Sequence, residues 1–251
     1  MTRPVCIKAD TNSAIVWGGA PCEISLAEVS DRTAQLVIAP LEDHGQPQPI
    51  PPTAAFVTFP SVEKFSAREF AGSRDVQVGE MRFIIKAKPL NISAYRADGS
   101  LVQEFILDGG TNGTMSFCTG ALVFGLGEGG EQFDRHGHFY PMKNGQINPM
   151  LAEHETTIPV PFLIGADGRS FFVRTLWGKL NLRGKQGLFL SERRQLGRES
   201  LTIYISELDK PTDALTEDSQ LRPREWYYTT HNPGTKWTHV ELDYKVWIGR
   251  H

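Results

Sequence analysis

Apolar residues along this chain alternate with polar ones or run in short bursts, and Gly, Pro, Asn and Asp punctuate them. Alternation with a period of two puts one face of an extended segment in a core and the other outside. On that basis "CEISLAEV" (22–29), "TAQLVIA" (33–39), "AAFVTF" (54–59), "MRFIIKA" (81–87), "LNISAYR" (90–96), "LVQEFIL" (101–107) and "SLTIYISEL" (200–208) are expected to be strands. Asp98-Gly99 and Asp167-Gly168 each lie between two such runs, and this dipeptide tolerates the positive φ of a tight hairpin turn. Helical patterns are scarce. "SVEKFSAREF" (61–70) fits a short helix, and "KPTDALTED" (210–218) fits another with Thr212 as its cap. The Pro-rich Gly45–Thr53 is expected to be an extended surface loop. The pattern predicts an all-β chain, an antiparallel β-sandwich with few short helices.

Composition narrows the picture. Hydrophobic residues make up 40% of the 251, enough for a sizeable core. The formal charge is -3 with no basic stripe, which argues against a nucleic-acid partner. No apolar run reaches the roughly 18–20 residues of a membrane span, so no membrane partner is expected. The first residues lack the features of a secretory leader. Taken as written, the chain is expected in the cytoplasm; a removed leader would leave an exported origin open. Cys6, Cys22 and Cys118 are too scattered for a disulfide framework and are expected to be reduced thiols. The sequons at Asn91 and Asn112 are short enough to match by chance.

"GLGEGGEQFDRHGHF" (125–139) holds two tempting motifs. Gly125–Gly130 spells GxGxxG, but a dinucleotide site needs a helix to follow, and Gly137, Pro141 and Gly145 oppose one. His136 and His138 are spaced so that an extended strand would aim both at one ion. The Glu expected just beyond is replaced by Pro141, Met142 and Lys143, and the nearest carboxylates are Glu153 and Glu155. No metal or other cofactor is therefore expected. No GxSxG elbow is present, and no spacing singles out a catalytic acid/base pair, so no catalytic residue is assigned.

The longer string is more specific. "LVFGLGEGGEQFDRHG", "MKNGQ" and "IPVPFLIGADGRSFFVR" together resemble the N-terminal β-sandwich domain of family 31 glycoside hydrolases, the α-glucosidase and α-xylosidase family. The resemblance covers residues 20 to 215 and is sharpest between 123 and 177. It implies a galactose mutarotase-like supersandwich that packs on a (β/α)8 barrel carrying both catalytic aspartates of a retaining mechanism. It also implies that a loop matching Tyr140–Asn148 reaches toward the substrate, which makes Asn144 and Gln146 candidates for sugar contacts. The family often has an Asp in this loop, and this chain has none there. Asp134 and Arg135 are expected either to pin the loop, an arginine fork holding carbonyls or a carboxylate, or to contact sugar or the edge of an adjoining domain. The carbohydrate implied is an α-glucoside or α-xyloside.

A barrel needs roughly 250 residues of its own, and nothing here resembles the family's nucleophile segment. The isolated chain is expected not to hydrolyse glycosides. Residues 1–217 are read as the sandwich domain and 218–251 as a divergent aromatic-rich tail, with "WTHVELDYKVWIG" a candidate edge strand. Two other functions stay open. A free-standing carbohydrate-binding module would use an exposed platform such as Trp226, Trp237 or Trp247. A sugar mutarotase or epimerase would need a base and acid, drawn from His136, His138 or His154 with Glu128 or Glu155.

Overall fold

The described period-two segments at 22–29, 33–39, 81–87, 90–96, 101–107 and 200–208 form strands that pair with strands of the same kind. The computed structural model describes residues 13–50, 59–110, 113–120, 122–128, 134–142, 158–174, 178–190 and 200–208. In chain order the strands are β1 (Ser13–Ala14), β2 (Val16–Trp17), β3 (Ala20–Ser30), β4 (Thr33–Pro40), β5 (Val62–Ala67), β6 (Glu69–Phe70), β7 (Ser73–Val78), β8 (Met81–Ala87) and β9 (Leu90–Tyr95). They continue as β10 (Leu101–Leu107), β11 (Thr114–Cys118), β12 (Val123–Glu128), β13 (Phe139–Pro141), β14 (Ile158–Gly165), β15 (Arg169–Val173), β16 (Lys179–Asn181), β17 (Gln186–Leu190) and β18 (Leu201–Glu207). One sheet runs β13-β16-β17-β11-β10-β9-β8-β7, and the other runs β12-β14-β15-β18-β4-β3-β2 with β5 also on β3. The described pairings of both sheets are antiparallel, so the described part is an all-β sandwich.

The alternation fixes which face is buried. Along β8, Met81, Phe83, Ile85 and Ala87 are buried while Arg82 and Lys86 are exposed. Phe171 on β15 crosses between the sheets, its ring edge-on to Phe105 at 5.3 Å and to Phe117 at 4.8 Å. Such pairs contribute about 0.5–1.5 kcal/mol each beyond the area they bury. β10 slips register against β9 between Leu101 and Gln103, and the Gln103 side chain bonds the end of β11 on the other side. Its amide donates to the Cys118 carbonyl and accepts from the Cys118 N–H, both at 3.0 Å.

Among the described residues there is no helix, and the stretch expected to be helical at 61–70 is strands β5 and β6. Its apolar residues fit either period, and the open edge of β3 decides between them. Val62, Glu63 and Phe65 pair with Glu28, Ala27 and Leu26, and Lys64 reaches the Glu28 carboxylate at 3.0 Å. Tertiary pairing here overrides local propensity. No described helix is long and apolar enough to cross a membrane. Most of "AAFVTF", the stretch at 210–218 and the aromatic tail lie outside the described residues.

The two Asp-Gly turns close the β9–β10 and β14–β15 hairpins, and a single side chain ties them together. Arg96, 8% exposed, donates to the Glu207 carboxylate at 2.8 Å, to the Asp167 carbonyl at 2.8 Å and to Ser100 Oγ at 3.2 Å. It thus links a turn of one sheet to a turn and a strand of the other. Gly168 has φ +83, and a Cβ there would lie 2.6 Å from the Leu208 carbonyl oxygen, so only glycine fits.

Candidate functional site

The "GLGE" segment is part of a strand. Val123–Glu128 pairs with β14, with a register shift between Gly125 and Gly127. Leu126 sits at that bulge with φ 68 and its side chain fully buried. A left-handed conformation costs a non-glycine residue about 1–2 kcal/mol. Burying the leucine side chain offsets this by a similar amount. Gly125, with φ +103, has room for no side chain, because a Cβ would fall 2.2 Å from the Phe162 carbonyl oxygen. The glycines therefore serve a bulge and a close backbone approach.

β12 is the end strand of its sheet, and Arg135 takes two of its carbonyls, one on each side of the bulge. Its guanidinium is buried, with Nε donating to the Gly125 carbonyl at 3.0 Å and Nη2 to the Gly127 carbonyl at 3.4 Å. Its own N–H donates to the Val123 carbonyl at 2.7 Å. The guanidinium also lies 5.8 Å from the centroid of the Tyr140 ring. The Tyr140 hydroxyl is buried, and burial raises its pKa.

Asp134 completes the junction. Its Oδ1 accepts from the Val123 N–H at 3.1 Å, from the His136 N–H at 3.2 Å and pairs with His136 Nδ1 at 2.8 Å. Burial works against ionisation of this carboxyl, but the hydrogen bonds from Val123 and His136 outweigh it and lower its pKa. The side chain stays 40% exposed, and the bonds shown all fall on Oδ1. Asp134 and Arg135 thus lie side by side in the segment before β13, bonded to the bulged strand β12, with Arg135 buried and Asp134 partly exposed.

His136 and Gly137 form a turn and not an extended strand, so the argument that would aim both imidazoles at one ion loses its premise. The His138 ring packs near Tyr140, with centroids 6.4 Å apart. Among the described residues no group of three or more His, Cys, Asp or Glu is placed to hold a metal ion. Cys22 and Cys118 are free thiols. Asn144, Gln146, His154, Glu155 and the tail tryptophans lie outside the described residues, as does Cys6. Residues that the sequence reading passed over are Arg96, Glu207 and Gln103. Their signal was a polar side chain one residue beyond a strand end or inside an apolar run.

The sandwich matches parts of larger solved enzymes. A GH31 (glycoside hydrolase family 31) dextranase from Flavobacterium johnsoniae, solved with isomaltotriose, aligns at a TM-score of 0.56 and 14% identity. The alignment covers 75% of this chain and 24% of the dextranase. The fold is that of a part of family 31 glycoside hydrolases. A cycloalternan-forming enzyme from Listeria monocytogenes, solved with a pentasaccharide substrate, aligns at 0.55 and 16% identity over 78% of this chain and 19% of its own. The chain therefore spans a quarter or less of the length of these two enzymes. No protein-family profile and no curated protein matches the sequence.

Proposed function

We propose that this chain is a non-catalytic N-terminal domain of the family 31 glycoside hydrolase type, with a galactose mutarotase-like topology, serving an α-glycosidase barrel that it does not contain. The observation that carries the reading is the fold match, which takes in three quarters of this chain but a quarter of the dextranase. Fold alone does not fix function, so the site must supply the rest. The role in carbohydrate metabolism is to pack on the barrel and shape its pocket for an α-glucoside or α-xyloside.

Tyr140 and Pro141 of the expected loop Tyr140–Asn148 belong to β13, and Tyr140 and Met142 are buried; in this reading the part of the loop beyond Met142 reaches the sugar, with Asn144 and Gln146 as hydroxyl partners. Asp134 and Arg135 stand at the base of that loop. Arg135 fixes the bulge of β12 by holding its carbonyls, and the exposed part of Asp134 is the group of the pair open to a sugar hydroxyl. Neither residue acts on the glycosidic bond.

The test is hydrolysis of nitrophenyl α-glucoside and α-xyloside by the purified 251-residue chain. The expected result is no release above the buffer blank. Hydrolysis that persists through a second purification would mean the chain carries its own catalytic carboxylates, and the reading would fall.

A further inference from the structure

The outer face of the β7–β8–β9 part of the first sheet carries a cleft of about 530 Å3. That is within the ~300–1,000 Å3 range of small-molecule sites. Cross-strand register lines up Gln77, Arg82 and Tyr95 across three adjacent strands. Ile84 lies beside them, and Glu80 from the β7–β8 turn and Gly99 from the β9–β10 turn close the rim. Tyr95 and Ile84 are half-buried, which gives the cleft an apolar floor.

The polar groups on the rim share one design. Each lines the cleft and is anchored by one end, with its other polar atom unbonded among the described residues. Arg82 donates from Nε and Nη2 to the Asp75 carboxylate, leaving Nη1. Glu80 accepts from Arg32 Nε at 3.2 Å on Oε2, leaving Oε1. Gln77 donates from Nε2 to the Gly79 carbonyl at 2.8 Å, leaving Oε1. Anchoring of this kind lowers the entropy lost when a ligand binds.

Charge decides the ligand class. Arg82 is paired with Asp75, Glu80 with Arg32 and Arg96 with Glu207, so each ionised side chain lining the cleft is balanced by a neighbour. A phosphate or an ammonium would find little net field here. A neutral molecule with an apolar face and a rim of hydroxyls matches the apolar floor and the free amide, carboxylate and guanidinium ends. We propose that this cleft is a saccharide-binding site that takes a neutral pyranose unit against Tyr95. The inference stands on the cleft's own chemistry, and the family reading supplies only the choice of probes.

The experiment is isothermal titration of the full chain with isomaltotriose, with maltose and with inorganic phosphate. Saturable binding of at least one saccharide is expected, insensitive to added NaCl, with no phosphate binding. Tyr95→Ala should weaken it about tenfold and Tyr95→Phe much less, because the ring body supplies most of the contact. Gln77→Ala and Glu80→Gln should each weaken it about threefold. Both change exposed side chains, so they decide the matter if Tyr95→Ala does not fold. The proposal is overturned if neither saccharide saturates, if Gln77→Ala and Glu80→Gln both leave the affinity unchanged, or if phosphate displaces the sugar. Those outcomes are independent of the hydrolysis assay, so this site and the domain reading can fail separately.

Discussion

Arg96 and Arg135 are buried to almost the same degree, at 8% and 9% exposure, but they hold different kinds of junction. Arg96 joins the two sheets: its fork spans the Glu207 carboxylate on β18 and the carbonyl of Asp167 in the β14–β15 turn. Arg135 serves one strand, taking the carbonyls of Gly125 and Gly127 on either side of the β12 bulge. The first junction contains a carboxylate only 18% exposed, and the second is shown bonding main-chain oxygens. A guanidinium is thus used once to neutralise a charge between sheets and once to cap irregular backbone. Removing it should expose that difference.

The largest effect is expected at the charge pair. Arg96→Ala strands the Glu207 carboxylate and the Asp167 carbonyl, and should cost about 3 kcal/mol, read as a lower urea midpoint at unchanged m. Replacing both partners by apolar residues, Arg96→Met with Glu207→Leu, should recover most of the loss. If the double variant is no better than the single, the pair contributes more than charge balance.

Arg135→Ala should cost somewhat less, about 2 kcal/mol, because the Gly125 and Gly127 carbonyls that lose its hydrogen bonds are neutral. Arg135→Lys should rescue little, since an ammonium cannot span two carbonyls as a planar fork does. Equal losses in Arg96→Ala and Arg135→Ala would remove the distinction between the two junctions.

The hairpins around Arg96 were legible in the sequence, and the bulge around Arg135 was not, for a physical reason. "MRFIIKA" and "LVQEFIL" end where β8 and β10 end, because alternation and the Asp-Gly turn are local properties. The bulge depends on Phe162, which lies far along the chain and whose carbonyl oxygen forbids a side chain at Gly125. Nothing in "GLGE" itself says that Leu126 is buried in a left-handed conformation. The same limit explains the helix expected at 61–70, where the edge of β3 decided the outcome. Arg135 was visible through family resemblance, whereas Arg96 stood only as the last residue of the expected strand "LNISAYR".

The two Asp-Gly turns offer a smaller contrast within the Arg96 region. Both glycines have positive φ, +82 at Gly99 and +83 at Gly168. A Cβ at Gly99 meets nothing within 4 Å, while one at Gly168 meets the Leu208 carbonyl oxygen at 2.6 Å. Gly99→Ala should therefore cost about 1 kcal/mol from conformation alone. Gly168→Ala should cost roughly 2 kcal/mol by adding a backbone shift beside Arg96. Thermal melts of the two variants compare them directly, and equal shifts would show that Leu208 moves aside freely.

The smallest effect concerns Asp134, beside Arg135, and it separates charge from hydrogen bonding. In the folded chain this carboxyl titrates below its ordinary value, because its bonds to Val123 and His136 outweigh burial. A lowered folded pKa means that the folded state favours the ionised form. The stabilisation is then complete above the ordinary carboxylate range near ~4, and it is lost as pH falls through that range toward the folded value. The side chain is 40% exposed, so solvent screening keeps the contribution under about 1 kcal/mol. Asp134→Asn keeps an oxygen that can accept from the Val123 and His136 N–H groups while removing the charge. Urea midpoints measured from pH 6 down to pH 3 should therefore fall more steeply for the native chain than for Asp134→Asn. Parallel curves would show that Asp134 serves this junction only as a neutral acceptor, as the main-chain carbonyls do for Arg135.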